Sequence, residues 1–421
     1  LITSNIKYNL KQTIGGINVY KLKCITCGSI YDPEPNIYTC PKCGERYGTL
    51  EVIFNYDLIN VKKSDFDEHG DISQFSKILP IAEYKVKQIV GNTPTYEFKN
   101  YYGIKKVFFK YDGTNPTGSY KDRASAIAIS KAYEYGYDTI YCASTGNAAS
   151  SLAGLSASTD LKTYIFVPKN IPIAKLAQLH VFGANIILID GNYDQAFDIS
   201  TKVGQKLNWY SRNSAINPYL LEGKKTGAME LAVQLDFNVP DIVFVSAGDG
   251  TVISSIYKGF YDFYNLNLIQ KIPKIIGIQA EGADAIAKTF SNGKPYTPVD
   301  IIPNTIADSI SVGKPRDVIK ACKYVEKSGG TFLTVNDEEI KTAIFELAKN
   351  TGIFAEPAGA AAYAGFKKAI SMNLLKKEDT VAIFITGNGL KDIKAVQDNI
   401  KINPIPPVFE KIIEYINEVR K

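Results

Sequence analysis

Asn115-Pro116-Thr117-Gly118-Ser119-Tyr120-Lys121-Asp122-Arg123 places one lysine between a Gly-containing turn and a helical pattern that starts near Asp122. An amine held at such a junction can form an imine with an aldehyde cofactor. Taken alone, the stretch also fits an ordinary surface turn with a solvated lysine. A second candidate site is the pair Cys24-x2-Cys27 and Cys40-x2-Cys43, separated by a short spacer. Each pair sits in a turn, marked by Gly28, Gly44 and Pro41. Two such knuckles can bring four thiolates to the corners of a tetrahedron, the closed geometry of structural zinc. Metal-free relics or redox dithiols are the alternatives. Four sulfur ligands leave no open position, so the expected role of the metal is to fold the N-terminal segment.

Three more stretches follow apolar runs. Ser144-Thr145-Gly146-Asn147 comes after a strand ending at Cys142 and before a helical pattern. Strand, tight turn and helix start leave backbone N–H groups free for an anion, although a plain N-cap would use the same residues. Ser246-Ala247-Gly248-Asp249-Gly250-Thr251-Val252 follows the run 241–245. Its two glycines permit close backbone approach to a phosphate, and the next helix adds its positive end. There is no six-residue dinucleotide fingerprint and no Walker lysine nearby. Ile385-Thr386-Gly387-Asn388-Gly389-Leu390-Lys391-Asp392 closes the set.

In this order, the lysine, Asn, glycine and Thr motifs closely resemble those of the tryptophan-synthase-β-like, fold-type II enzymes of pyridoxal phosphate (PLP), and within them the threonine synthases. Gly91-Asn92-Thr93-Pro94 is similar to that family's entry motif. The resemblance implies that Lys121 carries PLP and that Asn147 hydrogen-bonds the ring hydroxyl. It implies that Gly248, Asp249, Gly250, Thr251 and Val252 hold the cofactor phosphate through backbone amides. By the same match, Thr386 faces the pyridine nitrogen, and Ser144, Thr145 and Gly146 hold the substrate carboxylate. Glu356 is similar in place to a carboxylate near the cofactor's outer face, although Glu356-Pro357 also suits a helix start.

The implied activity is that of a PLP-dependent lyase of the threonine synthase type, turning O-phospho-L-homoserine and water into L-threonine and phosphate. Two positions depart from the family pattern. Ala148 stands where many threonine synthases carry Thr, and Leu220 where relatives carry an Arg that grips the substrate phosphate. A guanidinium binds phosphate through two parallel hydrogen bonds; leucine cannot. Lys224, Lys225 or Arg123 are the nearby cations able to compensate. Otherwise the substrate differs: O-phosphoserine with sulfite in a cysteate-synthase-like β-replacement, or threonine or serine in a dehydratase. A non-enzymatic PLP-binding or zinc-ribbon interaction protein is the remaining alternative, against which the intact Lys121 and Asn147 stand.

The elements that must position these residues are legible as alternation. Val107–Phe109, Thr139–Cys142, Thr163–Val167, Asn185–Ile189, 241–245, Lys274–Ile278 and Val381–Ile385 are short β-rich apolar runs. Helical patterns lie between them, over 122–135, from Asn147 and over Ile173–Phe182. Such alternation predicts an α/β fold with mostly parallel sheets covered on both faces. With the resemblance, the expected organisation is two α/β domains plus a small zinc-ribbon-like unit. The extension spans 1–84 with the four-cysteine unit at 18–50, and 51–90 reads as a connector. The large PLP domain takes 85–120 and 206–403, and a smaller mobile domain takes 121–205. A C-terminal helix occupies 404–421, after the breaker Asn403-Pro404-Ile405-Pro406-Pro407. Its stripe of Phe409, Ile412, Ile413, Ile416 and Val419 is expected to pack against the body or a second subunit.

Composition sets outer bounds. The chain has 421 residues, 45% hydrophobic and 22% charged, enough for two or three domains. A net charge of +5 without a basic arm implies no nucleic-acid partner. No apolar run is long enough to span a bilayer, and Leu1–Lys7 lacks the pattern of a signal peptide. Six cysteines, four of them in CxxC pairs, point to a reducing, cytoplasmic setting rather than a disulfide scaffold. Cys142 and Cys322 are expected as core thiols. A small-molecule amino acid phosphate ester is the expected partner, and the resemblance implies a homodimer.

Overall fold

The computed structural model describes residues 13–14, 17–35, 37–397 and 402–419. Leu1–Lys7 lie outside the described residues. The alternation resolves into two parallel-type sheets. The larger has six strands in the order Thr331–Val335, Lys274–Ala280, Ile242–Ser246, Thr380–Ile385, Ile104–Tyr111 and Thr95–Tyr101. The first five run parallel and the last pairs antiparallel at the edge. The smaller sheet orders Asn185–Ile189, Lys162–Pro168, Thr139–Ala143 and Tyr210–Ser211, all parallel. The expected α/β architecture with mostly parallel sheets is therefore present. The central strands Thr139–Ala143 and Ile242–Ser246 are buried at every position, as continuous apolar runs require.

Several strands are absent from the sequence reading, among them Thr331–Val335 and Tyr210–Ser211 at sheet edges, Thr95–Tyr101 and Leu50–Phe54. Thr95–Tyr101 is half exposed, and its mixture of Thr, Glu and Lys hides an edge strand. Leu50–Phe54 pairs with Tyr20–Cys24, which also pairs with Ile30–Tyr31 in an antiparallel three-stranded sheet. Leu50, Val52 and Phe54 face inward with strict alternation, so the start of the expected 51–90 connector completes the cysteine unit. The rest of that connector is not loose. Ile72, Phe75, Ile78 and Leu79 are buried in the main core.

Helices Lys121–Glu134 and Tyr219–Gln234 break the usual amphipathic rule. Nearly every residue of both is buried, including Asp122, Arg123, Lys224, Lys225 and Glu230. Charges in such a place must find partners within the protein. Arg123 donates from Nε to Asp112 at 2.6 Å and from Nη1 to Glu230 at 2.9 Å. Lys110 reaches the same Glu230 at 2.6 Å. Glu230 also accepts from the amides of Asn92 and Thr93, at 3.1 and 2.8 Å. Burial opposes its charge, but Arg123 and Lys110 hold the carboxyl down to about 2. Asn115 completes the circuit, accepting from the Gly91 amide at 2.9 Å and donating to Asp112 at 3.1 Å. The entry motif and the lysine motif are thus docked on one buried ion cluster.

The C-terminal helix forms over Phe409–Val419 after an irregular proline run. Phe409, Ile412, Ile413 and Ile416 are exposed. The stripe is therefore not covered by the body, and the other expected cover is a second subunit. Cys142 and Cys322 are buried core thiols, as expected.

Replacing Arg123 by Met would strand Asp112 and Glu230 without their main counter-charge. The expected loss is roughly 3–5 kcal/mol of unfolding free energy in urea titration. A loss below about 1 kcal/mol would show that the cluster is not strongly coupled to stability.

Candidate active site

In open parallel sheets, ligands bind outside the carboxyl ends of the strands. Here Thr139–Ala143 delivers Ser144–Asn147, Ile242–Ser246 delivers the 246–252 loop, and Thr380–Ile385 delivers Thr386. All three open onto one cleft of about 860 Å3, which Lys121 and Glu356 also line. Gly248, Asp249 and Val252 face this cleft. Gly250, the N-cap of the Thr251–Asn265 helix, and Thr251, its first residue, do not line it.

The lysine motif is tied to the Thr386 segment by backbone. Tyr120 N donates to Thr386 O at 2.8 Å and Asn388 N donates to Gly118 O at 3.0 Å. Lys391 Nζ adds a bond to Thr117 O at 2.8 Å. Glu356 N donates to Gly387 O at 3.1 Å, which brings the 355–360 segment to the same place. Lys121 is the first residue of its helix. Burial pushes its ammonium below the ordinary lysine range, against the pull of Asp249 and Glu356. For Asp249 the balance differs. Burial opposes its charge, but Lys224, Lys121 and the Thr251 amide hold the carboxyl below its usual range. Asp249 accepts from Thr251 N at 2.9 Å and from Thr251 Oγ1 at 2.8 Å, which satisfies the first amide of the Thr251–Asn265 helix, whose N-cap is Gly250.

Two ambiguities of the sequence are resolved by side-chain direction. Asn147 is the first helical residue, not a cap. Its Nδ2 donates to both oxygens of Glu356, at 3.0 and 2.9 Å, and to Ser309 Oγ at 3.1 Å. Glu356 precedes Pro357 at a helix start, yet its carboxyl caps nothing and turns into the cleft toward Asn147. Burial raises this carboxyl; Asn147 and then Lys121 act against the rise.

The 246–252 loop fits a phosphate. Gly250 has φ +92°, and a Cβ there would meet Asp317 O at 2.7 Å. A Cβ on Gly248 would meet Ile310 Cα at 3.0 Å. Both positions exclude a side chain, so the backbone itself forms the cradle. Lys224 Nζ and Arg212 Nη2, both wholly buried, lack hydrogen-bond partners. Burial brings Lys224 down to about 7, with Asp249 pulling the other way. Unpaired buried cations beside a glycine cradle match an anionic cofactor or substrate. Of the three cations weighed against Leu220, Arg123 is engaged as above, and Lys225 is paired with Glu222 and Asp262 at 2.5 and 2.6 Å. Leu220 itself is buried in the main core and does not face the cleft.

The four cysteine sulfurs of Cys24, Cys27, Cys40 and Cys43 lie within 4.8 Å of one another, and Cys27 and Cys40 are 3.7 Å apart. Tetrahedral zinc with bonds of about 2.3 Å has sulfur–sulfur edges of about 3.8 Å, so the set fits that ion. The cleft also contains residues without any sequence signal: Arg46, Ser309, Lys314 and Arg316. They come from a four-residue helical turn and from an irregular stretch that no periodicity marks.

Residues 86–387 match the family model described as pyridoxal-phosphate dependent enzyme. The chain is 38% identical to the threonine synthase of Methanosarcina acetivorans over 405 residues, 95% of this chain and 98% of that protein. It is 38% identical to the threonine synthase of Methanocaldococcus jannaschii, over 93% of this chain and 99% of that one. Among solved structures, diaminopropionate ammonia lyase from Escherichia coli superposes with a TM-score of 0.63 at 19% identity, covering 80% of this chain and 96% of that chain. That likeness shows the fold.

A nucleophilic amine must be neutral. Capture of added PLP by the apoprotein, followed by visible absorbance, should therefore accelerate with rising pH. The inflection should fall below the 10.5 of an ordinary lysine. An inflection at or above that value would contradict the depressed ionisation of Lys121.

Proposed function

The chain belongs to the pyridoxal-phosphate dependent enzymes and, within them, to the threonine synthases; from that premise we propose that it converts O-phospho-L-homoserine and water into L-threonine and inorganic phosphate. The observation that carries the proposal is the convergence of Lys121, the Ser144–Asn147 turn, the glycine cradle and Thr386 on one cleft. Lys121 would hold PLP in the resting enzyme, and the bound cofactor would supply the electron sink that makes protons at the α and β carbons removable. The side chains do the rest. When not linked to the cofactor, the buried, depressed amine of Lys121 is suited to take the protons from Cα and Cβ, to return one to Cγ as phosphate leaves, and to return the other to Cα once water has added at Cβ. Ser144, Thr145 and Gly146 hold the substrate carboxylate at the start of the Asn147–Ser156 helix. The amides of the Gly248 to Val252 turn would hold the cofactor phosphate, apart from that of Thr251, which Asp249 engages. Asn147 orients the ring from one side. Thr386 offers the ring nitrogen a neutral hydroxyl, which tempers electron withdrawal compared with a carboxylate.

Lys224 takes the place of the missing arginine. It lies one helical turn after Leu220, on the same face of the Tyr219–Gln234 helix. Helical side chains lean toward the N-terminus, so its chain extends over the turn that carries Leu220. Its amine is the unpartnered one of the three candidates. Zn2+ held by Cys24, Cys27, Cys40 and Cys43 is the structural metal of this reading. A homodimer is its assembly, and a mobile 121–205 domain against 85–120 and 206–403 is its domain scheme. No helix among the described residues is long and apolar enough to cross a membrane.

Phosphate release from O-phosphohomoserine, compared with sulfite-dependent release from O-phosphoserine, tests the substrate. Release only in the second assay would replace threonine synthesis by β-replacement. Lys224→Met should raise the KM for O-phosphohomoserine by about tenfold or more, the scale of one charge-assisted contact. An unchanged KM in Lys224→Met would remove this residue from phosphate recognition.

A further inference from the structure

Arg46 belongs to the cysteine unit, yet it lines the active-site cleft. The segment that carries it is closed on Cys40 from both sides. Cys40 N donates to Gly48 O at 2.8 Å, and the amides of Cys43 and Gly44 donate to Cys40 O at 3.2 and 2.9 Å. Arg46 is therefore held at a fixed distance from two of the four cysteines. Its guanidinium reaches across to the main body at two points. Nη2 forms an ion pair with Asp300, and Nη1 donates to Pro315 O at 3.3 Å.

Those two points are the roots of one loop. Ile301 N donates to Gly313 O at 3.0 Å, which closes the neck just inside them. The loop then reaches two parts of the site and the helix Ile173–Val181 beside it. Ser309 Oγ accepts from Asn147, Asp308 pairs with Lys175 at 2.6 Å, and Ile310 covers Gly248. Immediately beyond the second root, Asp317 N donates to Asp249 O at 3.0 Å, and Asp317 O packs on Gly250. The helix that follows is fastened to the cysteine unit again, through Lys320 Nζ to Leu50 O at 2.9 Å and Lys323 Nζ to Ile25 O at 2.5 Å.

We propose that Arg46 is a positioning residue for the cleft: it staples the two roots of the 300–315 loop, and metal held by the four cysteines fixes Arg46, so that metal occupancy and PLP affinity are linked. A four-residue helical turn cannot hold its own shape. Its rigidity must come from the cross-links at Cys40 and Cys43. Metal loss frees Arg46, and the loop over Gly248 and Asn147 loses its anchor. Linkage makes the effect reciprocal: PLP binding must tighten metal retention by the same factor. The inference rests on the cleft being the PLP site, but not on which amino acid is the substrate.

The test uses the full-length chain, with PLP titrated into apoprotein and followed by absorbance. Arg46→Ala should weaken PLP binding by about tenfold, within the usual range of coupling between sites. Its zinc content and cysteine accessibility should stay those of the parent. Arg46→Lys should recover part of the loss, because it keeps the charge toward Asp300 but not the fork to Pro315. Zinc removal with a chelator should weaken PLP binding in the parent and add little in Arg46→Ala. PLP affinity unchanged in Arg46→Ala would overturn the proposal. So would chelation that weakens PLP binding equally in both proteins, since the metal would then act by another route. Failure of threonine formation with PLP linkage intact would count against the substrate assignment alone.

Discussion

The buried fork of Arg123 is the interaction on which the site depends. It sits two residues after Lys121, on a helix enclosed on all sides. One guanidinium neutralises Asp112 from the strand-to-motif junction and Glu230 from the neighbouring helix. Glu230 in turn holds the amides of the entry motif. An uncompensated charge at such depth would cost far more than a surface ion pair contributes. The arrangement therefore tolerates few alternatives, and Lys121 inherits the fixed position of its neighbour.

Around that anchor the cleft separates charges that would neutralise one another in water. Lys121, Lys224 and Arg212 stand near Asp249 and Glu356, all of them buried or half-buried. Only some of these groups are paired within the protein. Asp249 is satisfied by Thr251, and Glu356 by Asn147. Lys224 Nζ and one nitrogen of Arg212 are not. A surplus of unpaired positive charge next to a side-chain-free backbone cradle is what an anionic cofactor and a phosphorylated substrate both require.

The cysteine unit acquires a second meaning in this setting. Its sheet is small, but Leu22, Leu50, Val52 and Phe54 bury their side chains in the main core. It also touches the body through charged and polar contacts directed at the segment that covers the glycine loop. A unit that reads from sequence as an appended fold stabiliser is thus part of the cleft wall through Arg46.

The lysine motif, the three loop motifs and the cysteine pairs were legible in the chain because each is local. Their chemistry lies in neighbouring residues, and their position after apolar runs follows from the periodicity of strands and helices. Gly136 and Gly183 likewise mark helix ends that fall where the pattern stops. The edge strand Thr95–Tyr101 was hidden because half of it faces solvent, and the strand Leu50–Phe54 because its partner lies far back in the chain. What only the tertiary structure decided is which charges are paired. Arg123, Lys224 and Lys225 look alike in sequence, and one of the three is left without a partner because the other two meet carboxylates from distant elements. Arg46 and Ser309 carry no local signal for the same reason: contact across hundreds of residues is set by packing, which periodicity does not encode.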